Sequence, residues 1–313
     1  MKRRTFLQQS GRALAAAPFL SLSSLQAIPP AILRRIGITT VCFREQFQKT
    51  KGRGVTIPPG QELTLLTAPK YFADTLGLHN VEIWNFQFDE ESIDYCKKIK
   101  AAAEAVGSRI INLQLDLGPA DTLSDPDAAK RATASTAIKA WMDRTAATGA
   151  TMMRANTGPG TPANWNLQRT ADEFRKLAEY GKTIGVTILI ENHIGYSEDI
   201  DKVVAIVKAV NHPNCKTLCD WGNSPAGGTP QQKVDALAKL FPNMGLVSAK
   251  QLDFDAQNKH IDYDVVPIIK ATEAAGYKGI YSIEFYTINN KPPKDVVAAA
   301  KVLLNTIAAN IKA

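Results

Sequence analysis

Histidine is scarce: His79, His193, His212 and His260 are the only four in 313 residues. That is too few for a centre built from several zinc ions, each demanding imidazole ligands. Cysteine is as sparse, and Cys42, Cys96, Cys215 and Cys219 follow no disulfide-scaffold spacing. Cys215 and Cys219 lie in an extended stretch unsuited to a bridge, and no second Cys-His set completes a zinc site. All four read as small apolar fillers. No GxGxxG follows the first strand and no GxxxxGK[ST] occurs anywhere, which removes the common phosphate-cradling loops. After the N-terminal region there is no run of 18 apolar residues, so the rest of the chain carries no membrane span. The formal charge of +7 is also thinner than it looks. Lys2, Arg3, Arg4 and Arg12 precede any acidic residue, and without residues 1–27 the charge falls to +3. No basic stripe remains to bind nucleic acid.

What the N-terminus does have is a basic start, Lys2-Arg3-Arg4-Thr5-Phe6-Leu7, and an apolar, small-residue stretch from Ala13 to Leu25. Ala27 then precedes Ile28-Pro29-Pro30. The twin arginines followed by Phe6-Leu7 resemble a twin-arginine (Tat) export signal. The stretch is too short and too rich in Ser and Ala for a membrane anchor. The expectation is therefore an export signal over 1–27, with Leu25 a poor residue at the minus-three position of a cleavage site, and a single domain over 28–313. A periplasmic or otherwise exported location follows.

From residue 34 onward, short β-branched runs alternate with helical patterns. Strands are expected at Ile36–Cys42, Val81–Phe86, Arg109–Leu115, Thr151–Ala155, Val186–Ile190, Lys216–Cys219, Gly245–Ala249 and Gly279–Ile283. Helices are expected between them and after the last. Ser124-Asp125-Pro126-Asp127 marks a helix start, while Gly107, Gly149, Gly185 and Gly276 stand just past helix ends. With 45% hydrophobic residues a large core is affordable, and eight βα repeats specify an α/β fold of the (β/α)8 TIM-barrel type. One connection is oversized. The polar segment from Phe43 to Leu66, with Arg44, Lys49, Lys51 and Arg53, is either a lid over the barrel mouth or a solvated insertion.

Four of the strands end in polar groups: Ile188-Leu189-Ile190-Glu191-Asn192-His193, Thr217-Leu218-Cys219-Asp220, Leu246-Val247-Ser248-Ala249-Lys250 and Tyr281-Ser282-Ile283-Glu284. In a barrel the C-terminal ends of all strands open on one face, so these become neighbours. Three carboxylates in one volume cannot all stay ionised without compensation by Lys250, by a divalent cation, or by both. Oxygen ligands suit Mg²⁺ or Mn²⁺, and an imidazole such as His193 would shift preference toward Mn²⁺, Co²⁺ or Zn²⁺. Trp84, Asn85, Arg154, Asn156, Trp221, Asn223 and Tyr286 add flat apolar faces and fixed polar groups at the strand ends. Such a rim around carboxylates favours a polyhydroxylated small molecule.

The segments Ile190-Glu191-Asn192-His193, Cys219-Asp220-Trp221-Gly222-Asn223, Val247-Ser248-Ala249-Lys250 and Ser282-Ile283-Glu284-Phe285 resemble the xylose isomerase-like TIM barrels, the sugar phosphate isomerase/epimerase superfamily. The likeness covers residues 34 to 311. It implies Glu191, Asp220 and Glu284 as ligands of one divalent metal (Mn, Mg, Co or Zn). It also implies Glu191 and Glu284 as the acid/base pair, abstracting a proton next to the carbonyl of a keto-sugar. The pattern departs at strand seven, where Ser248 stands in place of the usual His and Lys250 follows, a third catalytic candidate that would hold the enediolate. The same first step permits β-elimination from a keto-glycoside. Rival classes are a glycoside hydrolase using the two glutamates, a phosphodiesterase resembling endonuclease IV, which the few histidines oppose, and a non-catalytic sugar-binding barrel. The partner expected is a small carbohydrate, and an oligomer is compatible with the sequence.

Overall fold

A computed structural model describes residues 28–158, 164–223, 225, 227–286 and 291–313. The export signal expected over 1–27 lies outside the described residues. Eight strands form the barrel: β1 Ile36–Thr39, β2 Asn80–Trp84, β3 Arg109–Leu115, β4 Met152–Ala155, β5 Thr187–Glu191, β6 Cys215–Asp220, β7 Met244–Gln251 and β8 Tyr281–Phe285. They pair in parallel in sequence order, and β1 closes on β8 through Ile36↔Tyr281, Gly37↔Ser282 and Ile38↔Ile283. The expected (β/α)8 barrel is thus the fold.

Around it run α1 Pro30–Leu33, α2 Ala68–Leu76, α3 Ile93–Glu104, α4 Ala128–Ala147, α5 Leu167–Ile184, α6 Ile200–Val210, α7 Pro230–Ala238, α8 Val266–Ala274 and α9 Val296–Asn310. Local signals set their limits. Asp127 caps α4 by accepting from Ala129 N, and Thr229 with Gln232 forms a capping box on α7. Gly185 ends α5 at φ 75°, a left-handed turn that favours a residue without Cβ. Among the described residues no helix is long and apolar enough to cross a membrane. The four cysteines are free and buried.

Side-chain alternation along the strands builds the interior in layers. Leu189, Leu218 and Leu246 stand two residues before Glu191, Asp220 and Ser248, and with Ile111 they form a separate buried apolar cluster. That cluster is the apolar floor beneath the polar strand ends. The larger core lies outside, between the strands and the helices.

Only β3 keeps its expected limits; the other strands shift by one to three residues at one end or both, and for β1 and β7 the local reason is plain. β1 stops at Thr39 and the chain turns into a 3-10 segment, Thr40–Gln46, whose start is held by Thr39 Oγ1 accepting from Val41 N at 3.3 Å. β7 runs on to Gln251 because Lys250 and Gln251 pair with Glu284 and Phe285 of β8. The long segment from Phe43 to Leu66 is neither purely lid nor purely solvated. Phe43, Phe47, Leu63 and Leu65 are buried and anchor it to the core, while most of the stretch between is exposed.

Candidate active site

The strand ends enclose a cavity of about 590 Å³ walled by Trp84, Asp116, Arg154, His193, Lys250 and Glu284, with Asn223 and Tyr286 also on its surface. Its volume suits a small organic ligand. Strand register explains the convergence. Lys250 pairs directly with Glu284, and Asp220 with Ser248. Neighbouring parallel residues point their side chains to the same side of the sheet, so all four face inward.

Lys250 is the hub. Its Nζ lies 2.8 Å from Glu284 Oε1 and 3.5 Å from Asp220 Oδ2, and it donates to Asn223 Oδ1 at 3.0 Å. Glu284 Oε2 accepts from Gln114 Nε2 at 3.0 Å and from Ser248 Oγ at 3.1 Å. Asp220 Oδ1 accepts from the backbone N–H groups of Gly222 and Asn223, both at 2.8 Å. Burial pushes the Glu284 carboxyl up, but Lys250 and these donors outweigh it and hold it below the usual carboxylate value. Burial pushes Asp220 up, and there Lys250 offsets only part of the effect. For the Lys250 ammonium, desolvation is overcome by the surrounding carboxylates, Asp220 first, so it stays charged.

A second cation stands opposite. Arg154 Nη1 lies 2.6 Å from Asp116 Oδ1 and its Nε lies 3.0 Å from Glu191 Oε2. Trp84 Nε1 and Asn156 Nδ2 donate to the two oxygens of Asp116 at 2.7 and 2.8 Å. Although burial alone would raise it, Asp116 is held well below the carboxylate range by Arg154. Glu191 Oε1 accepts from Asn223 Nδ2 at 3.2 Å. Burial raises the Glu191 carboxyl in spite of Arg154 and Lys250. His193 Nδ1 lies 3.0 Å from Asn156 Oδ1. Since the Asn156 amide nitrogen donates to Asp116 and Asp121, its oxygen accepts and His193 must carry the proton on Nδ1. Nε2 is then a bare acceptor. Burial, then Arg154 and Lys250, depress the ring to about 4, so it is neutral near pH 7.

The structure therefore gathers Glu191, Asp220, Lys250 and Glu284 at one mouth, with Trp84, Arg154, His193, Asn223 and Tyr286 on the cavity wall. Asn156 sits behind the wall, orienting His193 and Asp116. Two more residues expected at the rim are also placed off the cavity surface. Trp221 is fully buried with its ring 5.9 Å from that of Tyr281, because the backbone turn that caps Asp220 carries its side chain into the core. Asn85 is buried too, and its side chain brackets the Asp116 backbone, donating to O and accepting from N, both at 2.9 Å.

The expected metal trio also requires correction. Among the described residues no group of three or more His, Cys, Asp or Glu side chains converges as a metal ligand set. The chemistry of the donors explains it. Lys250 stands against Asp220 and Glu284, and Arg154 against Glu191. A divalent ion bridging those carboxylates would meet fixed positive charge at every one. The residues present do not fit the group.

Three site residues escape the sequence reading. Asp116 closes an apolar run, Leu113-Gln114-Leu115-Asp116, in the same pattern as the other four strand ends and was legible by that rule. Gln114 and Glu82 were not, being polar residues inside strands. Glu82 is wholly buried and accepts from Asn112 at 2.7 Å, Gln114 at 3.1 Å and Ser282 at 2.5 Å. Burial, then Glu284, push its carboxyl up to about 7.

Comparison with known proteins agrees with this architecture. A family model described as xylose isomerase-like TIM barrel matches residues 71–306. No curated protein matches the chain. Among solved structures, a xylose isomerase-like TIM barrel protein from Mycobacterium smegmatis in complex with magnesium superposes at TM-score 0.63 with 16% identity, over 90% of this chain and 99% of that one. D-psicose 3-epimerase from Clostridium cellulolyticum H10, solved with D-tagatose, gives 0.60 and 15% over 88% and 96%. The 3-keto-D-glucoside 4-epimerase of E. coli gives 0.59 and 13% over 88% and 98%.

Proposed function

The chain belongs to the xylose isomerase-like TIM-barrel family, and from that premise we propose that it is a sugar isomerase or epimerase that moves a proton on the carbon beside a carbonyl of a keto-sugar. The observation that carries this reading is the Glu284–Lys250 pair, 2.8 Å apart in the wall of a cavity of ligand size. Two structurally similar proteins are epimerases of sugars, D-psicose and a 3-keto-D-glucoside. The cavity matches a polyol in character, with the Trp84 and Tyr286 rings offering flat faces and His193, Asn223 and Arg154 offering fixed acceptors and donors.

In this reading Glu284 is the base. The C–H bond breaks, its electron pair becomes the new C=C bond, and the carbonyl π pair moves onto oxygen, where the Lys250 ammonium donates a hydrogen bond to the enediolate. Return of a proton to the neighbouring carbon gives isomerisation, and return to the opposite face gives epimerisation. Glu191 is assigned the returning acid. It retains 3% exposure directly behind the wall residues Arg154 and Asn223, whereas Asp220 retains none. Asp220 instead anchors the Gly222–Asn223 turn and Lys250.

Solvent exchange tests the assignment. In D2O, the wild-type protein should incorporate deuterium at the carbon beside the carbonyl of a ketohexose or 3-keto-glucoside. Glu284→Gln should reduce incorporation by about 10²–10⁴-fold, the usual contribution of a positioned acid or base. Undiminished exchange in both Glu284→Gln and Glu191→Gln would show that neither carboxylate handles the proton.

A further inference from the structure

We propose that Lys250 is the resident cation of this site, taking the electrostatic place that a divalent metal would otherwise fill, so that the protein works without a metal ion. The proposal rests on the sugar reading only for the identity of the oxygen that Lys250 stabilises. Its structural basis is independent of that reading.

Lys250 Nζ stands 2.8 Å from Glu284 and 3.5 Å from Asp220 and is tied to Asn223 at 3.0 Å. Three polar side chains hold one ammonium in position. The backbone beneath is fitted to that arrangement: a Cβ on Gly222 would lie 2.9 Å from Lys250 Cγ and Cδ, so the residue facing the lysine stem is one that leaves room for it. Lys250 is 5% exposed, and carbons buried this deeply restrict the head group to the cavity end of the stem. Glu191, the remaining carboxylate, has its own cation in Arg154 at 3.0 Å.

Ser248 completes the case. It is fully buried on β7, two residues before Lys250 and on the same side of the strand, and its hydroxyl donates to Glu284 Oε2 at 3.1 Å. The two oxygens of Glu284 are thus divided between Lys250 on one side and Ser248 with Gln114 on the other. Three fixed donors thus take up most of the acceptor positions of this carboxylate, which leaves room for a single proton but not for chelation of an incoming ion. A lysine also differs from a metal in what it offers substrate. It supplies a single charge and directed N–H donors, which favour one developing oxyanion over chelation of two adjacent oxygens.

Titration of the full-length, chelator-treated protein with Mn²⁺ alone, followed by calorimetry and by loss of the free-ion EPR signal, reads the proposal directly. The wild type should show no site tighter than about 1 mM, since divalent binding beside a fixed ammonium carries strong repulsion. Lys250→Met, which keeps the stem and removes the charge, should gain a site at least about a hundredfold tighter, because that repulsion is gone. Adding Ser248→His to it should tighten the site further by supplying an imidazole ligand. Stoichiometric Mn²⁺ binding to the wild type at micromolar concentration overturns the proposal, as does a folded Lys250→Met that gains no site. If Lys250→Met does not fold, Lys250→Gln takes its place under the same criteria, and the wild-type titration still decides whether the ion is excluded. Deuterium exchange in the same chelator-treated wild type separates the two readings. Exchange with a keto-sugar alongside absent Mn²⁺ binding supports both. Absent Mn²⁺ binding without exchange on any keto-sugar tried sinks the sugar reading and leaves the cation assignment standing.

Discussion

At Arg154, one side chain supplies the facing positive charge for two carboxylates, buried Glu191 and partly buried Asp116. It is 4% exposed, contacts Asp116 at 2.6 Å and Glu191 at 3.0 Å, and also donates to Leu115 O at 2.8 Å. Arg154→Met should therefore destabilise the fold by about 3–5 kcal/mol, the range for stranding buried charge, as measured by urea unfolding. Arg154→Lys should restore only part, because a point charge cannot reach both carboxylates through separate N–H groups. Full recovery with Lys would mean that charge alone matters. Arg154 was visible in the sequence as a polar strand end, but its use was not. Read as a recognition group, it is largely engaged by Asp116, which follows β3 38 residues away; Asp116 is legible as a strand end, but its pairing with Arg154 is not. Glu191, Asp220, Lys250 and Glu284 were legible as neighbours because barrel geometry fixes which end of every strand opens on the site. Which carboxylate meets which cation was not legible, because that depends on side-chain reach across strands.

The βα units carry constraints of their own, and α5 shows one. Gly181 lies inside that helix, where Ala would ordinarily stabilise by about 0.5–1 kcal/mol. Here a Cβ would sit 2.2 Å from Val186 O and 2.8 Å from Met142 Cε. The first of these is backbone in the turn leading to β5, fixed by Val186 N donating to Gly181 O at 2.9 Å, so it cannot swing aside. Gly181→Ala should accordingly lower stability by about 1–3 kcal/mol, as overpacking does, seen as a reduced melting temperature. A rise instead would show that the turn relaxes freely. Gly185 announced the end of this helix from sequence, since a left-handed residue is a local need. Gly181 gave no such sign, because the reason for it lies in the closeness of helix and strand. The strand limits divide in the same way. β7 outruns its apolar run because β8 pairs with it, and β1 falls short because Thr39 starts a helical turn.

Closing the barrel joins the two ends of the chain, and a single ion pair fastens that seam from below. Arg35, the residue before β1, donates to both oxygens of Glu273 on α8 at 2.8 and 3.1 Å, to Tyr277 O at 2.7 Å and to Lys312 O at 2.7 Å. Glu273 in turn accepts from Tyr281 Oη at 2.8 Å and from Lys312 N at 3.0 Å. One pair thus ties together the entry to β1, helix α8, the first residue of β8 and the C-terminal segment. Eight repeats in the sequence foretold a closed barrel, yet nothing local linked Arg35 to a residue 238 positions on. Although burial opposes it, the hydrogen bonds from Arg35, Lys312 N and Tyr281 hold the Glu273 carboxyl below its ordinary value. The sign of the pH dependence follows. A carboxyl depressed in the folded state contributes fully above its unfolded value of about 4.3, and the contribution is lost as pH falls below that through the folded value. Replacing it by Gln leaves the Arg35 guanidinium buried without its charge partner. Glu273→Gln should therefore be less stable than wild type by about 3 kcal/mol at pH 7, and the gap should close as the pH drops below about 4.3. Urea unfolding of both proteins from pH 7 to pH 3 measures it, and a gap that stays constant across that range would show that the pair holds the seam by shape rather than by charge.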